Sequence, residues 1–268
     1  MEPALFIESA PRDLRQWVSR IWYSRGVLEK SLERVLPTAR TDIVINLGAP
    51  MLRADAGEEQ KILGTTVTGL LSKPFTLRHP RVHEALGIIL TPVGFRAVLG
   101  IPSSAASDLI VTLQDALELE HDILVQRCAV ATSPEECIAT TITWLRERIC
   151  IHADSIDPIA AWAAARIESS RGNLAIANLQ QESGYGATRF HQRFVDEFGV
   201  SPKTYARLVR FQTALENLSP ARPLTDLALS LGYTDQAHMN RDFRTLGQTT
   251  PLDVLRSSYV NGTTLAVE

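Results

Sequence analysis

The C-terminal third of the chain contains one pattern twice, and that repetition limits the possible folds more than any other feature. The first copy reads Leu179-Gln-Gln-Glu-Ser-Gly184-Tyr185, followed by Arg193-Phe194, Gly199 and Ser201-Pro202. The second reads Leu227-Ala-Leu-Ser-Leu-Gly232-Tyr233, followed by Arg241, Phe243, Gly247 and Thr250-Pro251. Gly184 to Gly232 is 232 − 184 = 48 residues, and Gly199 to Gly247 is 247 − 199 = 48. A repeat at fixed spacing implies two like structural units. Each copy predicts a short helix, a glycine-bearing turn, a second helix and a proline-marked stop. That order is the grammar of a helix-turn-helix, whose second helix enters a DNA major groove.

The helical faces agree with this reading. Phe190, Phe194 and Phe198 recur at i, i+4 and i+8, which predicts an apolar stripe turned to the core. The opposite face of that helix carries Thr188, Arg189, His191, Gln192 and Val195. In the second unit Met239 and Phe243 point inward, and Gln236, Ala237, Asn240, Arg241 and Arg244 point outward, with Thr234 or Asp235 as the cap. Gln and Arg side chains can bond adenine and guanine edges in pairs, and an Ala methyl can meet thymine. Tyr205, Leu208, Phe211 and Leu215 mark the buried side of a long helix from Pro202 to Leu218 that joins the units. Asp157-Pro158 predicts a further helix start, with an Asp cap and a proline in the first turn.

Charge argues against a purely electrostatic DNA binder. The whole chain has a net charge of −3. Residues 1–154 hold 16 Lys+Arg and 19 Asp+Glu, and residues 155–268 hold 11 of each. A reader that places a few arginines well and keeps its acids elsewhere fits these counts better than a basic coat.

The first half predicts a different architecture. Residues 16–23, 41–46, 63–71, 75–78 and 85–90 are rich in β-branched and aromatic residues, with Gly and Pro between them. They predict a small sheet or barrel-like module. Helices follow at 95–99, 113–130 and 133–150, the last with Ser133 as cap, Pro134 at the first position and Glu135 and Glu136 in the first turn. The expected fold is α+β in the N-terminal domain, residues 1–152. The domain at 157–258 is expected to be all-α, with two helix-turn-helix units joined by a long helix, and 259–268 is expected to be a tail.

Enzymatic chemistry finds no support in the sequence. Cys128, Cys137 and Cys150 are read as buried thiols of a reducing cytosol, without metal-ligand spacing. His79 and His83 are read as solvated loop histidines, and Arg40 with Asp42 as a strand-end salt bridge. Gly-rich phosphate loops and nucleophile elbows are not seen, and neither a leader nor a run of some 18 apolar residues is read. The chain is therefore expected to be a non-enzyme, with no cofactor, no metal and no membrane partner.

The stretch from about Pro158 to Ser257 resembles the DNA-binding domain of the AraC/XylS family of bacterial transcription regulators. The resemblance rests on Leu231-Gly-Tyr-Thr-Asp-Gln-Ala-His-Met-Asn-Arg-Asp-Phe243 with Gly247-Gln-Thr-Thr-Pro251. In the first unit it rests on Ser183-Gly-Tyr185, Arg193-Phe194 and Phe198-Gly-Val-Ser-Pro-Lys203. It implies base-reading positions at Thr188, His191 and Gln192, and at Gln236, Ala237 and Arg241; Arg189 and Asn240 share those faces. Ala175 and Gly186 depart from the family's usual capping residues. Val35–Gly48 and Gly87–Pro102 resemble a recurrent sensor or dimerisation domain of such regulators, with no ligand chemistry attached. The implied partner is double-stranded promoter or operator DNA in the cytoplasm. A small-molecule effector, a homodimeric partner and RNA polymerase are open. The rival readings are an architectural DNA binder without effector and a DNA-tethered enzyme.

Overall fold

The computed structural model describes residues 4–28, 31–54, 60–62, 64–113, 120–257, 259–260 and 264–266. Strands come first, in two antiparallel sheets. The first has the spatial order β1 (Ala4–Ser9), β2 (Val18–Val27), β9 (Val82–Leu90), β4 (Thr41–Asn46), β7 (Thr65–Thr68), β10 (Ile110–Thr112). The second runs β11 (Tyr259–Val260), β12 (Thr264–Ala266), β3 (Leu32–Val35), β8 (Phe75–Arg78), β5 (Met51–Arg53), β6 (Gln60–Ile62).

Alternation decides which face of the first sheet is covered. Ile43 and Ile45 turn one way, join Ile21, Leu86 and Ile88, and are buried under α1 (Gly94–Leu99) and α3 (Pro134–His152). Helix α2 (Glu120–Ala129) packs on α3. Asp42, Val44 and Asn46 turn the other way, and residues of both sheets line a cavity of about 80 Å³ between them. Trp22 is one of the residues that line it. Gly87 opposite it has no room for a side chain, since a Cβ there would lie 2.0 Å from the indole.

The remainder is helical: α4 (Pro158–Ser169), α5 (Ile176–Glu182), α6 (Ala187–Phe198), α7 (Pro202–Glu216), α8 (Leu224–Ser230), α9 (Gln236–Gly247) and α10 (Pro251–Arg256). Ser133 caps α3 by accepting from Glu136 N, and Asp157 caps α4 by accepting from Ile159 N and Ala160 N. The phenylalanine stripe is buried, with Phe190, Phe194 and Phe198 at 2%, 0% and 1% exposure. Tyr205 stacks among them, 5.5 Å from Phe194 and 5.7 Å from Phe198 by ring centroids. Phe211 and Phe243 meet edge-on at 4.9 Å. Leu36, Ala39 and Leu70 of the sheet domain belong to this same core, so the two domains pack as one body of apolar contact.

Several expectations change. Residues 259–268 were expected to be a tail, yet Tyr259–Val260 and Thr264–Ala266 form a hairpin, and its second strand pairs with β3 from Thr264↔Val35 to Ala266↔Glu33. Strands β1, β3, β5, β6 and β10 were not anticipated; they are short or carry charges that mask the alternation. The helix expected at 113–130 is described over Glu120–Ala129, and 114–119 lies outside the described residues. Cys128 and Cys137 are buried but Cys150 is exposed. Arg40 pairs with Glu168 at 2.6 Å and not with Asp42. His79 and His83 are not solvated loop residues: His79 Nε2 lies 3.1 Å from Glu33, and His83 on β9 lies 2.7 Å from Ser24 Oγ.

Candidate nucleic-acid interface

Each helix-turn-helix unit is set by its turn. In the first, Gly184 has φ +71 and open space where a Cβ would sit, so only backbone handedness demands glycine. In the second, Gly232 has φ +75, and a Cβ would also strike Asn173 at 2.3 Å. Helices α6 and α9 each span 12 residues. Their starts are 236 − 187 = 49 residues apart, one more than the turn glycines. The second turn is therefore one residue longer, because Asp235 is inserted as a cap and its side chain accepts from His238 N at 2.6 Å.

This extra residue corrects the register read from sequence. The left-handed residue that ends α6 is Gly199, φ +74. Its counterpart after α9 is Gln248, φ +49, and not Gly247. Gly247 is the last helical residue, and it is small for packing: a Cβ there would lie 3.0 Å from Phe211. Aligned by helix position, Thr188 corresponds to Ala237, His191 to Asn240 and Gln192 to Arg241.

Thr188, Arg189, His191, Gln192, Ala237 and Arg241 are exposed, as is Arg244. Two positions are less open. Gln236 is half-buried and accepts from Thr225 Oγ1 at 2.9 Å. Asn240 is half-buried, with its Oδ1 closed off from solvent and without a hydrogen-bond partner. Gln192 donates to Asp196 Oδ1 at 2.7 Å within its own helix, and Arg189 lies over the Tyr185 ring at 4.9 Å. Helix α7, with 15 residues, gives a spacer of about 22 Å between the units.

The charge balance is resolved by where the acids go. Asp157 caps α4 and pairs with Arg193 at 2.7 Å. Asp242, almost fully buried, pairs with Arg207 at 2.7 Å. Glu197, 3% exposed, pairs with Arg96 at 2.8 Å. Asp235 and Asp253 serve as caps. These carboxylates are turned inward or held at helix starts, while Arg189, Arg241 and Arg244 stay on exposed faces.

The sheet domain grips the far end of α6. Glu197 accepts from Arg96 of α1 and from Asp157 N, Ser103 Oγ donates to Glu197 O at 3.2 Å, and Ser104 Oγ donates to Asp196 O at 2.6 Å. These serines satisfy carbonyls that a helix end leaves without intrahelical donors. Sequence reading missed this grip, because Arg96 and Glu197 are separated by 101 positions and no local pattern links them.

Within the sheet domain, burial pushes the Asp42 carboxyl up to about 6, opposed by a hydrogen bond from Thr68. Burial also holds His83 below its usual range. Among the described residues, no group of three His, Cys, Asp or Glu side chains is placed to hold a metal. Among those residues, too, no helix is long and apolar enough to cross a membrane.

Comparison with known proteins agrees with this geometry. Residues 179–257 match a helix-turn-helix domain family, and residues 9–112 match a domain family of unknown function, DUF6597. A search of curated protein sequences finds no match. The fold is similar to that of an apo variant of ToxT from Vibrio cholerae, at 10% identity and TM-score 0.53, covering 93% of this chain and 99% of that one. It is similar also to wild-type ToxT bound to an unsaturated fatty acid, at 10% identity and TM-score 0.51, covering 95% and 96%. Residues 179–257 thus carry a helix-turn-helix domain, and the two units, the long helix joining them and the β-rich partner domain share the two-domain architecture of ToxT.

Proposed function

We propose that the chain is a sequence-specific regulator that reads two successive major grooves on one face of promoter DNA. The observation that carries this reading is the pair of equivalent ridges, Thr188, His191 and Gln192 on α6 and Ala237, Asn240 and Arg241 on α9. Arg241 is the guanine reader: it is exposed, and no carboxylate on its own helix competes for it, since Asp242 is taken by Arg207. Gln192 and Gln236 would exchange their present intramolecular bonds for base edges. Asn240 shares the second ridge, but its Oδ1 is closed off from solvent and is not placed to meet a base edge. Arg189 and Arg244 flank the ridges and suit phosphate contacts.

The N-terminal domain is the regulatory half in this proposal, sensing a small molecule or holding a second copy of the chain. Its grip on α6 through Glu197 is the mechanical link, since a shift at α1 moves the end of a recognition helix. A similar fold has been solved with a fatty acid bound, which supports an effector role. The cavity between the sheets here, about 80 Å³ and lined in part by Trp22, does not suit a long acyl chain. Contact with RNA polymerase would follow from promoter binding in the cytoplasm.

Selection of fragments from bacterial genomic DNA with the purified chain tests the proposal. The expected product is a site with two half-sites spaced by about one helical turn, ~34 Å. Retention of all fragments alike would overturn sequence-specific reading.

A further inference from the structure

Two of the chain's three cysteines meet inside the sheet domain. Cys128 is the next-to-last residue of α2 and Cys137 the fourth residue of α3, and residues 130–133 turn the chain between the helices. Both side chains are buried, at 3% and 2% exposure. Cys137 and Thr141 stand four apart on one face of α3. Cys128 Sγ lies over that face, 3.6 Å from Thr141 Oγ1, and Thr141 Oγ1 donates to the Cys137 carbonyl at 2.9 Å. The Cys137 thiol itself donates to the Cys128 sulfur. Cys150, the third, is exposed near the other end of α3.

The two sulfurs are chemically unequal. The hydrogen bond from Cys137, against burial and with help from Thr141, holds the Cys128 thiol below its usual range. Cys137 is pushed up by its bond to Cys128, by burial and by the charges of Glu84 and Glu136. One sulfur is therefore the readier thiolate and the other keeps its proton, the division that an attacking and a resolving thiol require. We propose that Cys128 and Cys137 form a modification site, at which a small hydroperoxide closes a disulfide between α2 and α3. The Cys128 thiolate attacks one peroxide oxygen, the O–O bond breaks, and the leaving oxygen takes up the proton that Cys128 released. Cys128 is then a sulfenic acid. The Cys137 sulfur attacks it, the S–O bond breaks, and the departing hydroxide takes the Cys137 proton as water. The two sulfurs give up two electrons, and these reduce the peroxide bond.

Helix α3 carries the effect away from the site. Its Arg148 Nε donates to Val98 O of α1 at 2.9 Å, and α1 holds α6 through the Arg96–Glu197 pair at 2.8 Å. A disulfide that draws α2 onto α3 acts at the root of the grip on the first recognition helix. This route rests on the reading of the sheet domain as the regulatory half; the chemistry at the two sulfurs does not.

The test uses the full chain carrying Cys150→Ser, so that no exposed thiol obscures the result, with hydrogen peroxide as the probe. Alkylation in denaturant followed by peptide mapping should find a Cys128–Cys137 disulfide that dithiothreitol reverses. With Cys137→Ser added, reaction should stop at oxygen added to Cys128. With Cys128→Ser added, Cys137 should stay a thiol. Both thiols still open to alkylation, after a peroxide dose that fully oxidises Cys150 in the unsubstituted chain, would overturn the site. That outcome is read with both cysteines in place, so it holds even if either variant fails to fold. Oxidation of Cys137 at an undiminished rate in the Cys128→Ser chain would overturn the division of roles. On a selected DNA fragment, peroxide should change affinity by about fivefold or more, and should not do so in the Cys137→Ser chain. A disulfide without a change in affinity would overturn the route to α6. Failure to retain any DNA fragment would sink the regulator reading alone, because the thiol assay uses no DNA.

Discussion

The two helix-turn-helix units share landmarks but are held differently. Helix α6 starts without a side-chain cap, at Gly186, and ends on a left-handed glycine packed against the sheet domain, where a Cβ at Gly199 would strike Ser107 Oγ at 1.6 Å. Helix α9 starts on a capping Asp235 and ends on a left-handed Gln248 tied to Arg34 by one hydrogen bond. The buried acids divide the same way. Glu197 of the first unit reaches across to Arg96 in the sheet domain, whereas Asp242 of the second pairs with Arg207 inside the helical domain. The first unit thus draws its order from its neighbour and the second largely from itself. If the sheet domain regulates DNA binding as proposed, its firmer hold is on the first unit.

That contrast can be broken by substitution. The largest effect belongs to the core both units need: Phe194→Ala, at a fully buried site, should lower stability by about 3–5 kcal/mol in denaturant unfolding. An unchanged midpoint would mean the first unit is not packed on this stripe. Glu197→Gln should cost about 2 kcal/mol, less than a fully buried pair because Arg96 keeps some solvent, and it should alter DNA binding by the first unit. Asp242→Asn should cost stability without changing how domain contact responds; equal behaviour of the two variants would erase the proposed division. Arg241→Ala should lose about 1–3 kcal/mol on the selected site and relax one base position; uniform loss on all sequences would make it a phosphate contact. The smallest pair tests the helix ends. Gln248→Gly should gain up to about 1 kcal/mol by relieving left-handed strain, while Gly199→Ala should lose more than that from strain and clash together. Similar values for both would mean that the two ends are equivalent.

Local features were readable before the structure. The phenylalanine stripe, the Ser133 and Asp157 caps and the turn glycines each depend on residues within a few positions of one another, and the sequence shows them directly. Strand β4 was readable because Thr41, Ile43 and Ile45 alternate cleanly with Asp42, Val44 and Asn46. Strand β3, Leu-Glu-Arg-Val, was not, since charged residues occupy both of its faces and pairing with β8 and β12 decides its form. The helix-end register was misread for a specific reason: Gly247 mimics a left-handed stop by its identity, but it is still helical and packs closely on Phe211, 3.0 Å from where a Cβ would sit. The Arg96–Glu197 grip and the Arg34–Gln248 contact were invisible because they join residues 101 and 214 positions apart.

The hairpin of β11 and β12 has a topological consequence. By pairing with β3, it returns the polypeptide to the sheet domain, on the second sheet, although the last strand before the helices, β10, lies in the first. The helical half is thereby an insert, moored at its entry by the covalent linker and at its exit by a ladder of backbone hydrogen bonds. An insert moored twice cannot swing away on a hinge. To leave the sheet domain the helical half would have to unzip that ladder, so tilts that keep it intact are the motions the proposed regulation would use.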